Sequence, residues 1–334
     1  MERYALVYGG YGHTGRFVVA ELLRRGLTPI LSGRDPARLA AMAGQFPGLE
    51  ARPAAVDDGH SLDTAVRGAG LVVNCAGPFT DTALAVAAAA VRAGAHYLDV
   101  TAEQAAVQRV YRAHQELRWR PGVAVIPAMA FYGGLADLLA STAMAGWETA
   151  DEITIAYGID RWWPTEGTRN TGRRNTAARL MVSGGRLVPA PSPAPVRDWE
   201  FPPPLERQTV TRAPFAEIIT IARHLAAPTI DSYLTTSALA DIQNSATPAP
   251  TAADEAGRSA QRFVVDVVLR RGRQERRISA AGRDIYAVTA PLVAEAARRL
   301  FDGRAKVGGA AAPGEVFDAA DFLDTLSPQL TIRR

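Results

Sequence analysis

VYGGYGHTGR, residues 7–16, runs from the end of a β-rich stretch into a glycine turn and on into an amphipathic helix. Gly10, Gly12 and Gly15 have the spacing G-x-G-x-x-G, inside a βαβ unit whose second strand ends at Ser32. In that setting each glycine has a physical task. Gly10 permits the tight turn, Gly12 lets the backbone approach a pyrophosphate, and Gly15 lets helix and strand pack closely. The helix start, His13 and Thr14, adds free N–H groups and the positive end of a dipole. The stretch reads as a dinucleotide site; a glycine turn that holds no ligand is the plainer alternative.

The end of the second strand, ILSGRDP (30–36), selects the nucleotide. A site for NAD places Asp or Glu there to accept hydrogen bonds from the ribose 2′-hydroxyl. Here Ser32, Gly33 and Arg34 occupy those positions. A hydroxyl and a guanidinium bind a 2′-phosphate that a carboxylate would repel, so the expected cofactor is NADP(H). Asp35 precedes Pro36 and reads as a helix cap rather than a ribose ligand. Asp57, after the third strand, suits either the border of the adenine or an ordinary turn.

Six β-rich runs alternate with helical stretches over the first 130 residues: Tyr4–Tyr8, Pro29–Ser32, Ala51–Val56, Leu71–Cys75, Tyr97–Val100 and Val123–Ile126. Val18, Val19, Leu22 and Leu23 form one face of the first helix, with Gly26 at its stop. Ser61 is a candidate cap for the third helix, and Gly94 closes the fourth. This is the pattern of an α/β Rossmann fold, a doubly wound parallel sheet. From about residue 150 the pattern changes. The segment 262–282 reads as a hairpin turning at Arg271-Gly272, with Phe263, Val265, Val267 and Leu269 on the covered face of a half-covered strand. Segments 188–204 and 244–257 read as loops, and 289–303 as a helix capped by Thr289 and stopped by Gly303. The expected organisation is a Rossmann domain (1–132), an inserted α+β domain with a mixed or antiparallel sheet (133–284), and C-terminal helices that pack back on the first domain (285–334).

Composition narrows the function. The formal charge of +3 over 334 residues is spread out, with no basic run of the kind that binds nucleic acid. Cys75 is the only cysteine, which excludes an intramolecular disulfide. The longest apolar run, Ala83 to Val91, is far short of the roughly 20 residues that span a bilayer. The chain enters a strand directly, with no signal pattern, so a cytoplasmic protein is expected. His13, His60, His114 and His224 have no metal-ligand spacing with one another or with Cys75, so no metal is expected. The expected partner is a small-molecule substrate, without nucleic acid or membrane, and a homodimer is compatible with the sequence.

In this fold the cofactor's reactive end lies over the carboxyl ends of the strands. NCAGPF (74–79), DVTAEQ (99–104) and PAMAFYGG (127–134) should meet there. Asn74, Ala76, Gly77 and Pro78 form a backbone turn able to cover the nicotinamide ribose. These segments, with GGYGHTGR, SGRDPARL and AGAHYLDVTAEQ in order and spacing, resemble the saccharopine dehydrogenase-like oxidoreductases, including the trans-acting enoyl reductase branch. The downstream GRDIYAVTAPLVAEAARRL and GGAAAPGEVFDAADFL are also similar to that family. The resemblance implies a Rossmann domain with an inserted mixed-sheet domain, NADP(H), and hydride transfer. It covers about the first 135 and last 50 residues. Where many members carry G-F-D-S-x-P-x-D, this chain has Ala130 to Asp137; Asp137 keeps the last acid and Tyr132 replaces the earlier one. That departure argues against the saccharopine-forming reaction.

The Tyr-x-x-x-Lys pair of short-chain dehydrogenases is absent, because the only lysine, Lys306, has no tyrosine four residues before it. Tyr132 is the first candidate proton donor and Glu103 the second, with Asp99 read as fixing a turn. His96 is expected simply to pack at a strand start. Phe79, Phe131, Trp162, Trp163, Thr168 and Arg169 are candidate substrate contacts. Arg161, Arg169, Arg173 and Arg174 are able to hold a carboxylate, or to serve a surface or dimer contact. The reading is an NADPH-dependent reductase acting on a C=C or C=N bond of a small metabolite. Its alternatives are a non-redox cyclase or isomerase with structural or lost NADP, and a nucleotide-sensing binding protein.

Overall fold

The computed structural model describes residues 3–113 and 122–334. His114 lies outside the described residues. The N-terminal half alternates β1 (Tyr4–Tyr8), α1 (His13–Arg24), β2 (Thr28–Gly33), α2 (Pro36–Gln45), β3 (Ala51–Pro53), α3 (Gly59–Val66), β4 (Leu71–Asn74), α4 (Phe79–Ala93), β5 (His96–Asp99), α5 (Gln104–Ala113) and β6 (Ala124–Ile126). All pair in parallel, in the order β6-β5-β4-β1-β2-β3. The sheet is covered on both faces. Along β1, Ala5 and Val7 face one apolar layer while Leu6 and Tyr8 face the other. Such double cover requires apolar strands without polar alternation.

Local signals explain most boundaries. Asp35 caps α2 by accepting the Ala37 and Arg38 N–H groups at 3.0 Å each, with Pro36 in the first turn. Gly26 and Gly94 take φ of +73° and +76° beyond their helices, a conformation that other residues adopt only under strain. Two expectations are corrected. Asp58, not Ser61, caps α3; Ser61 instead donates to the Asp58 carbonyl at 2.8 Å. Leu23 is 38% exposed, so the buried face of α1 is Val18, Val19 and Leu22.

An irregular wide turn, Phe131–Leu135, leads into α6 (Ala136–Met144). Then follow β7 (Glu152–Ile159), α7 (Glu166–Arg174), β8 (Leu180–Ser183), β9 (Arg186–Pro189), β10 (Val196–Glu200), β11 (Arg207–Arg212), α8 (Glu217–His224), β12 (Thr229–Thr235), α9 (Thr236–Gln243), β13 (Arg262–Arg271) and β14 (Gln274–Arg283). These build a second, mixed sheet in which β7 and β12 pair in parallel and the other neighbours antiparallel. β13 is covered on both faces, not one: Val264 and Asp266 are as buried as Phe263 and Val265. The segment 188–204 also contains β10, stabilised by pairing with β11, where a loop was expected.

The C-terminal region comprises α10 (Thr289–Phe301), β15 (Gly309–Ala310), α11 (Pro313–Val316), α12 (Ala319–Asp324) and β16 (Thr331–Arg333). α10 packs on α1, with Arg25 bonded to the buried Glu295 at 2.6 Å. Thr289 lies inside α10 rather than capping it, and its hydroxyl donates to the Ile285 carbonyl at 3.3 Å. β15 adds a seventh parallel strand beside β6, while β16 pairs with β14 of the second sheet. The tail therefore ties both sheets together.

Candidate active site at the cofactor crevice

β1 lies between β4 and β2, and the helices that follow β1 and β4 take opposite faces of the sheet, which makes the carboxyl edge between these strands the crevice where such a fold binds a dinucleotide. The left-handed residue of the first turn is Gly9, with φ +78°, not Gly10. A Cβ on Gly9 would meet the Ala76 backbone nitrogen at 2.9 Å, so the two turns touch here. The Gly9 and Gly10 N–H groups donate to the Ser32 carbonyl at 2.8 and 3.3 Å. A Cβ on Gly15 would lie 2.4 Å from the Gly9 carbonyl, which makes glycine necessary for seating α1 on its own turn. Gly12 caps α1 with no side-chain hydrogen bond, and the first turn of α1 has no acid. The first-turn N–H groups, including that of Thr14, are thus free to meet an anion. His13 Nε2 is buried without a partner beside them.

At the adenine end the structure amends the sequence reading. Ser32 is fully buried, and its hydroxyl donates to the Arg52 carbonyl at 2.8 Å, which removes it as a phosphate ligand. Arg34 is exposed and, among the described residues, has no ion-pair partner. Asp57 is an exposed turn residue whose charge, like that of Arg34, reaches the Tyr8 hydroxyl. Sequence reasoning missed Tyr11 and Arg38. The Tyr11 ring lies so close over Gly33 that a Cβ there would approach it to 2.6 Å. The Arg38 guanidinium stacks 4.5 Å above the centroid of that ring. Arg38 lies in the first turn of α2, four residues after Arg34.

The turns after β4, β5 and β6 meet as expected, fastened by buried carboxylates. Asn74 folds its side-chain oxygen onto the Ala76 N–H at 3.0 Å and donates to Thr82 at 3.1 Å, so it shapes the turn. Gly77 is exposed, with Pro78 beside it and Phe79 beneath. Asp99 accepts the Ala128 and Thr101 N–H groups at 2.8 and 3.1 Å and the Tyr97 hydroxyl at 2.9 Å. Burial outweighs these donors and pushes its carboxyl up to about 6. Glu103 is not a free acid. It accepts the Phe79 and Thr80 N–H groups at 2.7 and 3.2 Å and so caps α4. His96 packs as expected, accepting the Ala124 N–H at 3.0 Å.

Tyr132 leaves β6 into a wall of rings. Its centroid is 4.1 Å from Phe215, 4.8 Å from Phe131 and Tyr157, and 5.6 Å from Trp162. Its hydroxyl is buried with no hydrogen-bond partner, and burial holds it well above the usual phenol range. Phe131 faces the core, 2% exposed and packed on Phe263, rather than a substrate. Glu217, missed in the sequence, is fully buried behind this wall. It accepts the Tyr157 hydroxyl at 3.0 Å, the Ser232 hydroxyl at 2.6 Å and the Phe215 N–H at 2.9 Å.

Trp162 and Thr168 meet at a residue also missed. The Tyr286 hydroxyl accepts the Trp162 Nε1–H at 2.9 Å and lies 2.9 Å from Thr168 Oγ1. Trp163 is half-buried beside Trp162. Of the two roles open to the arginines of this segment, carboxylate binding or a surface contact, the hydrogen bonds and ion pairs here fit the second. Arg169 donates to the Thr247 carbonyl at 2.5 Å, Arg161 pairs with Asp241 at 3.3 Å, and Arg174 pairs with Asp81 at 2.7 Å. Arg173 is bonded to Asn170. The signal for Tyr286 and Glu217 was weak because Trp162 lies 124 residues from Tyr286 and Tyr157 lies 60 residues from Glu217.

The residues present fit NADP(H): uncapped N–H groups, an orphaned imidazole nitrogen and an unpaired arginine line one edge of the crevice. Residues 5–126 match the family model of the saccharopine dehydrogenase NADP binding domain. A lipid droplet localized protein of Caenorhabditis elegans is 32% identical over 151 residues, 41% of this chain and 35% of that protein. A saccharopine dehydrogenase-like oxidoreductase of Bos taurus is 27% identical over 225 residues, 59% of this chain and 52% of that protein. The chain thus spans about half or less of the length of these curated relatives. Apo saccharopine dehydrogenase (L-Glu forming) from Saccharomyces cerevisiae superposes with a TM-score of 0.67 at 12% identity, covering 99% of both chains, which establishes the fold. Residues 5–126 thus resemble a saccharopine dehydrogenase NADP-binding domain, and the chain as a whole shares the fold of saccharopine dehydrogenase.

Proposed function

We propose that this chain is an NADPH-dependent reductase acting on a C=C or C=N bond of a small metabolite, with Tyr132 as the proton donor. The observation that carries the reading is the Tyr132 hydroxyl, which is buried and unpartnered just beyond the carboxyl end of β6. A buried polar group without a partner is destabilising, and a bound substrate that accepts this hydrogen bond would relieve the cost. NADPH, when bound, supplies the hydride. The phenol keeps its proton at neutral pH and serves as an acid rather than a base. The surrounding rings exclude water. Arg179, stacked 4.6 Å over Phe215 and within electrostatic range of the same hydroxyl, is placed to stabilise a developing anion. Glu103 has no part in proton transfer, because its oxygens are engaged by α4.

The test is loss of NADPH absorbance on incubation with imine, enoyl and carbonyl compounds, including those suggested by neighbouring genes. Oxidation by an imine or enoyl compound supports the reading. Tight NADPH binding without oxidation by any of them overturns it. Product formation with no change in nicotinamide absorbance favours the non-redox alternative.

A further inference from the structure

Helix α7 lies over the crevice but is barely attached to it. None of its residues is buried. On the Rossmann side it meets the turn after β4, where a Cβ on Gly77 would approach Thr171 Oγ1 to 3.0 Å, and Arg174 reaches Asp81 on α4. Both ion-pair side chains are largely exposed, so that pair holds weakly. The stronger attachment is at the other end of the helix, through one hydroxyl. Tyr286 accepts the Trp162 Nε1–H at 2.9 Å and the Thr165 N–H at 3.3 Å. With both lone pairs used, its own proton goes to Thr168 Oγ1 at 2.9 Å. Thr168 continues the chain to Thr165 Oγ1 at 3.0 Å, and Thr165 is the cap of α7. One phenol therefore fixes the approach to α7, its cap and its first turn.

The same ring touches the cofactor turn. Tyr286 stands edge-on to His13, centroids 5.3 Å apart, and His13 is the first residue of α1 with an orphaned Nε2. We propose that Tyr286 is a positioning residue that latches α7 across the crevice, so that release of NADP(H) requires this helix to lift. The proposal rests on the reading of the glycine turn as the NADP(H) site. It assigns Trp162 and Thr168 to the latch in addition to any contact with substrate. It also explains why an otherwise exposed helix carries a hydrogen-bond chain from Tyr286 through Thr168 to Thr165 at its start.

The test uses the full chain with NADPH as the probe. Trypsin cleavage after Arg173 and Arg174 is timed by mass spectrometry, with the exposed Arg273 in the β13–β14 turn as internal reference. NADPH dissociation is timed by displacement with excess NADP⁺. The wild type is expected to be cut more slowly in α7 when NADPH is present. Tyr286→Phe leaves two N–H donors unpaired and is expected to raise cleavage in α7 and NADPH dissociation roughly tenfold, with association unchanged. Thr168→Val, which removes one link, should give a smaller change in the same direction and serves if Tyr286→Phe does not fold. Unchanged dissociation and α7 cleavage in both variants, or no NADPH protection of α7 in the wild type, overturns the latch while leaving the cofactor reading intact. Absence of any NADPH binding removes both.

Discussion

The Glu103 carboxylate accepts the Phe79 backbone N–H at 2.7 Å, joining the turn after β5 to the first turn of α4. A residue that reads as a catalytic acid is therefore a helix cap supplied from the neighbouring turn. Glu103→Ala should lower stability by about 1–3 kcal/mol, since one buried and one partly buried N–H group lose their acceptor. Glu103→Gln, which keeps one oxygen, should lose less. Thermal melts of the three proteins test the order. Retention of wild-type stability in Glu103→Ala would show that α4 does not depend on this cap.

Among the described residues Arg34, just after β2, has no ion-pair partner, and Arg38 is already stacked on Tyr11. Arg34→Ala should weaken NADPH binding by roughly 10- to 100-fold, the range for a lost charge-assisted hydrogen bond. NADH, which lacks the 2′-phosphate, should bind the variant and the wild type equally. Arg38→Ala should have the smaller effect on NADPH, because its guanidinium is held by the ring. Titration of the three proteins with both nucleotides decides. Equal NADH and NADPH affinity in the wild type would refute the assignment of Arg34.

Asp99 sets a pH dependence of stability. Burial disfavours the charged form and pushes its carboxyl up from the ordinary value of 3.8 to about 6. The folded protein thus holds this proton more tightly than the unfolded chain. The resulting stabilisation is complete below pH about 4 and is lost as the pH rises through about 6, a change on the order of 3 kcal/mol. Asp99→Asn cannot ionise, so the wild type should lose stability relative to this variant across that window. Urea midpoints at pH 4 to 8 measure it, and parallel curves would contradict the prediction.

What could be read from the chain alone follows from the range of the interactions. The Asp35-Pro36 cap and the Gly94 stop are short-range devices, and each lies where its spacing put it, while the glycine turn has its left-handed residue one place earlier, at Gly9. β15 and β16, two and three residues long, form by adding to sheets already built and have no periodicity to detect. Ser32 was misread because its position suits a phosphate ligand, while its rotamer is set by Arg52 on the neighbouring strand. Glu217 and Tyr286 escaped for the same reason. A buried polar group is defined by partners that only the tertiary structure brings together.

Tyr132→Phe separates stability from chemistry. The hydroxyl makes no hydrogen bond and is buried among Phe215, Tyr157, Trp162 and Phe131. Its removal leaves the ring packing intact and relieves a desolvated group, so stability should be unchanged or rise by about 1 kcal/mol. NADPH affinity should not move, since Tyr132 is not among the residues assigned to the nucleotide. Reductive turnover should fall about 100- to 10,000-fold, the range for losing a positioned general acid. A structural tyrosine predicts the reverse pattern, with lowered stability and undisturbed turnover. Thermal melts and NADPH oxidation on one preparation therefore distinguish the two roles. Wild-type turnover in Tyr132→Phe would transfer proton donation to solvent or to the substrate itself.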